Sequence, residues 1–350
     1  MAPTAARDLP RPRLASEDLT HPIGGAPCGA PLFLPAPGQS VRSMEPVQRQ
    51  SDGRSLLGVG LVVASACSYG TLAIFGKLAY SHGIALPTLL SYRFILAALV
   101  FWVLVALRAP ALPPRGRWLP LVAMGAAGYV GQSASYFGAL RLIPASTTSL
   151  LLYTFPAVVT LLAALLFHEL LSTGKLIALA VALIGTVLVV QAQLQSVPAL
   201  GLVLGLMSAG FYSSYILYAS RVLPGVPPIA ASATIMTAAA AVWAAYAGAT
   251  GQLGLRADGA TLWLLTGFVL MATVFPVLTF VIGMPLIGPS RAAILSTFEP
   301  ATTVLLAVVI LGEVARPIQY LGGSLIILAA ILLEAPGWLA ARATVQPIRE

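Results

Sequence analysis

The stretch LIPASTTSLLLYTFPAVVTLLAALLFHE, residues 142–169, recurs 144 positions later as LIGPSRAAILSTFEPATTVLLAVVILGE, residues 286–313. Of the 28 aligned positions, ten are identical without a gap, and they include a serine, a proline and the final glutamate. Matches between apolar residues arise readily by chance, whereas polar residues and proline at one fixed offset indicate a duplication. Both copies are long and apolar enough to cross a bilayer. A duplicated membrane bundle is typical of secondary transporters, in which the substrate site lies between the halves.

The composition indicates a membrane protein. Charged residues make up 9% of the 350 residues and apolar residues 58%, whereas a typical soluble domain has about 25% charged residues. The net charge of +8 is scattered along the chain rather than clustered, so it does not indicate a nucleic-acid partner. The two cysteines, Cys28 and Cys67, predict neither a disulfide framework nor a metal site.

The chain divides by composition into four regions. Residues 1–54 are rich in Pro, Gly and Arg and contain no long apolar run, so we expect a disordered N-terminal tail. Residues 55–193 and 199–338 are the two expected membrane repeats. Residues 339–350 form a short, more polar C-terminal tail.

Counting about 20 apolar residues per span gives ten predicted transmembrane segments. They are 56–80, 84–107, 118–140, 145–167, 174–193, 200–222, 228–249, 260–284, 290–311 and 318–338. An even number of spans leaves both termini on one side. Placing them in the cytoplasm puts eleven Arg and Lys residues inside and four outside, as the positive-inside rule favours. The sequence therefore predicts a multi-pass protein of the cytoplasmic (inner) membrane with both termini cytoplasmic.

Five spans per half imply that the second half enters the membrane from the opposite face. A second, weaker similarity supports this assignment, since Gly58 and Tyr69 in the first span match Gly201 and Tyr212 in the sixth at an offset of 143. The predicted fold is thus an all-α polytopic membrane protein with ten transmembrane helices in two five-helix inverted repeats. Such repeats exchange conformations and open a central site to each side in turn.

Several segments resemble a known family. They are Ser91–Phe94 in the second span, Gln132–Leu140 in the third, Pro156–Glu169 in the fourth and Glu299–Glu313 in the ninth. Together with ten helices in two halves, they resemble the EamA-type drug/metabolite transporter superfamily over residues 55–338. The resemblance implies a carrier for amino acids, sugars, nucleotides or cationic drugs. This chain departs from the pattern at His168, where glycine would precede the glutamate.

Two charged residues are predicted to lie near the middle of the membrane. Glu299 and Arg93 are each nine residues into a span, or about 14 Å deep at 1.5 Å per residue. A charge at that depth costs a few kcal/mol, so each side chain should face protein, water or a partner. We expect Glu299 to bind a proton or cation for coupling, and Arg93 to be its partner or an anion contact. The alternative is a fixed ion pair that only joins helices.

The repeated prolines and glutamates are interpreted as structural. Pro156 and Pro300 lie inside their spans, where proline loosens helix hydrogen bonding. Glu169 and Glu313 each end a span. We expect these two carboxylates to cap the amides at the start of the following helix.

A set of polar and aromatic residues is predicted to face a common central cavity with Arg93. Tyr hydroxyls facing lipid would lack partners, so these side chains should point inward. Such a cavity would suit an amphipathic organic molecule, and its aromatic faces would tolerate a cation. The candidate substrate-binding residues are Tyr69, Arg93, Gln132, Tyr136, Tyr212 and Tyr215.

The sequence therefore predicts a secondary transporter, with export the expected direction, for a small organic metabolite such as an amino acid. Proton coupling is expected. The alternatives are an uncoupled facilitator of the same fold and an intramembrane enzyme built on Glu299 and His168. No nucleotide-binding loop, catalytic nucleophile or metal motif is evident, so we expect no enzyme activity, cofactor or metal. The expected partners are the solute and the lipid bilayer, with the protein either a monomer or a homodimer.

Overall fold

A computed structural model describes residues 45–108, 111–167, 171–193, 196–254, 258–314 and 316–343. Throughout these ranges the regular elements are helices. Helices that continue one another across a kink are grouped here into one span, and the described residues then form ten spans. All contacts discussed below lie within the unit that begins at Gln48.

The first five spans contain eight α-helices and one π-helical segment. Span 1 is α1 (Glu45–Gly70) and α2 (Leu72–Ser81); span 2 is α3 (Leu86–Arg108); span 3 is α4 (Trp118–Ala123), a π-helical segment (Met124–Tyr129) and α5 (Val130–Leu142); span 4 is α6 (Ala145–Leu152) and α7 (Phe155–Phe167); span 5 is α8 (Thr173–Gln193). A short 3₁₀ turn, Arg115–Arg117, precedes span 3.

The second five spans repeat this plan. Span 6 is α9 (Ala199–Val222); span 7 is α10 (Pro228–Ala249); span 8 is α11 (Gly259–Val269), a π-helical segment (Leu270–Val274) and α12 (Phe275–Ile287); span 9 is α13 (Pro289–Ser296) and α14 (Phe298–Leu311); span 10 is α15 (Pro317–Ala343). The break in span 9 matches that in span 4, and the π-helical segment of span 8 matches that of span 3. These two irregularities are therefore duplicated together with the helices, whereas the break in span 1 after Gly70 has no counterpart in span 6.

The helix ends extend beyond two predicted boundaries. Helix α1 begins at Glu45, ten residues inside the segment 1–54 that was expected to be a tail, and α15 continues to Ala343. Extending an existing helix needs no new nucleus, so polar residues next to an apolar run join it at little cost. Residues 1–44 and 344–350 lie outside the described residues.

Eight helices in the described part are long and apolar enough to cross a membrane, and Pro317–Leu333 is a shorter apolar helix. Span 3 is not among the eight because polar residues interrupt its apolar sequence. Several of them are buried inside the protein, namely Gln132, Ser133, Ser135 and Tyr136. Buried polar residues of this kind face the interior of the protein rather than lipid.

Reciprocal contacts between the repeats show that they are related by a two-fold axis. In span 6, a Cβ at Gly201 would lie 2.5 Å from Ile143 Cγ2 at the end of span 3. In span 1, a Cβ at Gly58 would lie 2.7 Å from Ile287 Cγ2 at the end of span 8. Each repeat thus packs its first span against the third span of the other, as in an isologous interface. With five spans in each repeat, this gives the inverted arrangement.

The remaining pairings complete the packing of the ten spans. Span 2 packs along span 7, and span 5 packs along span 10. The two broken spans, 4 and 9, contact each other through α6 and α14. Spans 1, 3, 6 and 8 complete the interior between the repeats.

Candidate functional site

Glu299 lies at the break in span 9. It occupies the first turn of α14, next to the interruption at Thr297, and it is half-buried. The hydroxyl of Tyr153, at the matching break in span 4, lies 2.9 Å from Glu299 Oε2 and 2.5 Å from the Ser296 carbonyl oxygen. Within the described residues, Glu299 Oε1 has no hydrogen-bond partner. The protein therefore holds one of the two carboxylate oxygens.

Arg93 is held by one hydroxyl and three aromatic rings. The side chain is 2% exposed, and Nε donates a hydrogen bond of 3.0 Å to Thr273 Oγ1 in the π-helical segment of span 8. The guanidinium carbon lies 5.2 Å from the ring centres of Phe94 and Phe268 and 5.5 Å from that of Phe137. Cation–π contacts of this kind stabilise a buried guanidinium without a carboxylate. The aromatic rings thus fix the position of this charge.

Of the two roles expected for Arg93, a partner of Glu299 or an anion contact, the structure does not show the first. Both residues are described, and no ion pair joins them. Each instead has a neutral hydroxyl partner, Thr273 for the guanidinium and Tyr153 for the carboxylate. The two charges therefore do not neutralise each other.

A continuous series of aromatic rings connects the surroundings of the two charges. It begins beside Arg93 and ends at the tyrosine that contacts Glu299. The distances between successive ring centres are 5.3 Å for Phe94–Tyr129, 5.8 Å for Tyr129–Tyr215, 6.3 Å for Tyr215–Tyr212, 4.8 Å for Tyr212–Phe155 and 5.5 Å for Phe155–Tyr153. We call these six residues the aromatic arc. It crosses from the second span to the fourth and includes both repeats.

The predicted polar residues have no protein partners. Among the described residues, the hydroxyls of four tyrosines and the amide of a glutamine accept or donate no hydrogen bond to protein; they are Tyr69, Gln132, Tyr136, Tyr212 and Tyr215. No fully buried polar side-chain atom in the described part is unpartnered, so these groups face space that a water-sized molecule reaches. Tyr69 and Tyr136 each lie within electrostatic range of both Arg93 and Glu299. These placements are compatible with one shared interior space.

Comparison with known proteins identifies the fold and the family. The EamA-like transporter family matches residues 56–191 and, a second time, residues 199–334. The chain belongs to the EamA-like transporter family. It is a multi-pass membrane protein of a transporter family, and the double match coincides with the two repeats.

Individual relatives agree with this assignment. The uncharacterized transporter YcbK of Bacillus subtilis (strain 168) is 27% identical over 274 residues, which cover 75% of this chain and 87% of that protein. The uncharacterized transporter sll1319 of Synechocystis sp. (strain ATCC 27184 / PCC 6803 / Kazusa) is 28% identical over 207 residues, 56% of this chain and 60% of that protein. A crystal structure with 22% identity superposes with a TM-score of 0.57, covering 80% of this chain and 98% of the other; it supports the fold alone.

The repeated EamA-like motif residues flank the site. Pro156 is the second residue of α7 and Pro300 the third residue of α14. In the first turn of a helix a missing N–H has no consequence, so proline favours a restart immediately after the break. Glu313 caps α6 of the other repeat, rather than the following helix α15 as we expected. The fold explains the difference, because the C-terminal end of span 9 meets the N-terminal end of span 4. Glu169 lies outside the described residues.

Sequence reasoning missed Tyr153, Thr273 and two of the rings around Arg93. Tyr153 could have been found from the duplication, since it aligns with Thr297, two residues before Glu299. Thr273 lies in an apolar stretch and gives no sequence signal. On α9, Tyr212 and Tyr215 are half-buried, whereas Tyr218, three residues further on, is 44% exposed.

Proposed function

We propose that this EamA-like protein is a secondary transporter that moves a small amphipathic organic solute, such as an amino acid, by alternating access. Its solute site is the space bounded by the aromatic arc, Arg93 and Glu299. Export across the cytoplasmic membrane, with both termini in the cytoplasm, is the direction we propose. The protein catalyses no reaction in this scheme, and the free-energy source is an ion gradient.

One observation supports the proposal: Tyr69 and Tyr136, whose hydroxyls have no protein partner among the described residues, lie within electrostatic range of both Arg93 and Glu299, two charges that do not pair with each other. In a fixed structural core, such groups would cost free energy unless they were hydrogen-bonded. In a carrier, the solute and water supply the missing partners. The aromatic rings offer apolar surface, and the tyrosine hydroxyls and Gln132 offer hydrogen bonds, a combination suited to an amphipathic solute.

The two charges have distinct proposed roles. Arg93, fixed by Thr273 and by three rings, suits an anionic group of the solute. Glu299, with one free carboxylate oxygen at a helix break, suits a proton or the cationic group of the solute. Proton binding there would favour one conformation of the carrier through its differential affinity for the two states. An uncoupled facilitator would use the same cavity without titration of Glu299.

The test is transport by the purified protein in proteoliposomes. Radiolabelled amino acids are offered one at a time, then sugars and nucleosides, with and without an imposed pH gradient. Glu299→Gln preserves the shape of the side chain but fixes a neutral group. We expect this variant to lose gradient-driven accumulation at least tenfold while it retains downhill exchange of the same solute.

Asp258→Asn is the matched control, because it makes the same chemical change at the N-cap of α11, outside the site. It should accumulate solute like the wild type. Accumulation by Glu299→Gln at the wild-type level would contradict the coupling role. Wild-type flux that does not depend on the pH gradient would favour the uncoupled facilitator. Product formation without flux would favour an enzyme.

A further inference from the structure

A carboxylate of the second repeat holds the start of a helix in the first repeat. Glu313 Oε1 accepts the Ala145 amide at 2.6 Å, and Oε2 accepts the Ser146 amide at 3.1 Å and the Ser146 hydroxyl at 2.7 Å. The first amides of a helix lack intrahelical partners and carry a partial positive charge. Hydrogen bonds to an ionised acceptor are roughly twice as strong as neutral ones. Three such bonds therefore connect the two repeats at a single point.

The backbone at the end of α14 positions Glu313 at this contact. Gly312 ends α14 with φ of 66°, in the left-handed region. The Glu313 amide then returns to the Ala307 carbonyl oxygen at 3.1 Å, which closes the end of the helix. Nothing lies within 4 Å of a Cβ built on Gly312, so the backbone turn, and not crowding, explains the glycine. The carboxylate consequently projects from a fixed helix end.

A crevice lies beside this contact. This crevice, of about 190 Å³, lies between spans 4, 9 and 10, lined among others by Ser146, Leu150, Pro300 and Gly323. Lys77 of α2 is half-buried and lies within electrostatic range of Glu313. Apolar packing of the fully buried helix α6 and the three hydrogen bonds of Glu313 therefore both hold α6 and α14 together at this end.

We propose that Glu313 and Ser146 form a latch that keeps this face of the carrier closed and releases when the face opens. In the orientation predicted above, it is the extracytoplasmic face. The inference rests on the proposed function, because only a carrier needs the two repeats to separate at one face. Contacts between inverted repeats must break on opening, and these three bonds are polar contacts that water replaces when they separate.

The experiment measures the opening directly. Spin labels are placed at Ser81→Cys, at the end of α2, and Leu321→Cys on α15, both exposed and on opposite repeats at this face. The background carries Cys28→Ser and Cys67→Ser, and distances are measured in nanodiscs by double electron–electron resonance without solute. Glu313→Gln keeps one acceptor oxygen, loses at least one of the three bonds and removes the negative charge that strengthens the others. It should raise the population with the longer distance at least threefold over the wild type.

Two further variants make the outcome decisive. Ser146→Ala removes one bond and should shift the distances in the same direction by a smaller factor, even if Glu313→Gln fails to fold. Asp258→Asn, a carboxylate cap within one repeat, should leave the distribution unchanged. The latch is rejected if the folded Glu313→Gln or Ser146→Ala protein has the wild-type distribution, or if Asp258→Asn shifts it equally.

Failure of the latch and failure of the proposed function give different results. The distances require no solute. A shift in a protein that moves no solute would support the latch geometry and contradict the transport proposal. Normal flux with no shift in either latch variant would contradict the latch alone.

Discussion

Spans 4 and 9 have the same shape and different chemistry. Both break in the middle and restart within three residues of a proline, at Pro156 and Pro300. At the restart, span 4 presents Phe155 where span 9 presents Glu299. Just before it, span 4 carries Tyr153, whose hydroxyl reaches across to that glutamate. One copy supplies the apolar wall and the hydrogen-bond donor, and the other supplies the charge.

This comparison shows which features are common to the two repeats and which differ between them. The breaks in spans 4 and 9, the π-helical segments and the glycine contacts occur in both repeats, because alternating access needs two interchangeable halves. The site needs only one carboxylate, since two at the centre would repel each other at short range. The repeats are therefore equivalent in geometry and unequal in chemistry.

The largest effect is expected from making the two spans chemically alike. Phe155→Glu places a second carboxylate among the rings of Tyr153 and Tyr212, whose centres lie 5.5 and 4.8 Å from that of Phe155. An ionisable group in the membrane interior costs about 3 kcal/mol, and the nearby Glu299 adds repulsion. We expect a loss of stability of about that size in unfolding by sodium dodecyl sulfate. Phe155→Leu, which stays apolar, should lose less stability than Phe155→Glu. Equal losses would mean that side-chain volume, and not charge, distinguishes span 4 from span 9.

A second test asks whether the geometry is as symmetric as the contacts indicate. Gly58→Ala and Gly201→Ala each put a methyl group less than 3.0 Å from an isoleucine methyl of the other repeat. Overpacking of this kind costs about 1–3 kcal/mol of stability. The two variants should therefore lose similar amounts of stability. The controls are Gly60→Ala and Gly210→Ala, where no heavy atom lies within 4 Å of the added Cβ. They should keep the stability of the wild type. A clear loss at only one of the two contact positions would break the symmetry.

The smallest effect is expected at the hydroxyl that joins the two spans. Tyr153→Phe keeps the ring in the aromatic arc and removes the donor to Glu299. A hydrogen bond to a charged group contributes about 1.5 kcal/mol, so we expect a loss near that value together with a lower rate of solute accumulation. Tyr92→Phe, whose hydroxyl makes a 3.4 Å contact at an exposed position, should be neutral. No change in Tyr153→Phe would show that the contact does not hold the carboxylate.

The sequence predicted the fold because its signals are repeated and local. Apolar runs, prolines and one duplicated segment suffice to place ten spans, and nine of the ten start within two residues of the predicted position. The exception is span 1, where a polar extension continues the helix to Glu45. Helix ends of that kind depend on propagation from the apolar run and leave little mark in the composition.

The site was predicted less completely because its contacts cross between spans. Depth in the membrane identified Arg93 and Glu299, but depth does not say which side chains meet. The Arg93 partner, Thr273, is 180 positions away in sequence. It lies in an apolar stretch, so the sequence does not indicate a polar contact there. Rings such as Phe137 and Phe268 look like lipid-facing residues until the helices are placed together.

The central claim is that residues of both repeats face one water-filled space, and cysteine labelling tests it most directly. In a background without native cysteines, Tyr69, Gln132, Tyr136, Tyr212 and Tyr215 are replaced singly by cysteine, with Met207, 45% exposed on the outer face of α9, as the control. We predict that a water-soluble maleimide labels all five positions, that a transported solute protects them, and that the control reacts only with a lipid-soluble reagent. If the five positions react like Met207→Cys, the shared space does not exist and the account is wrong.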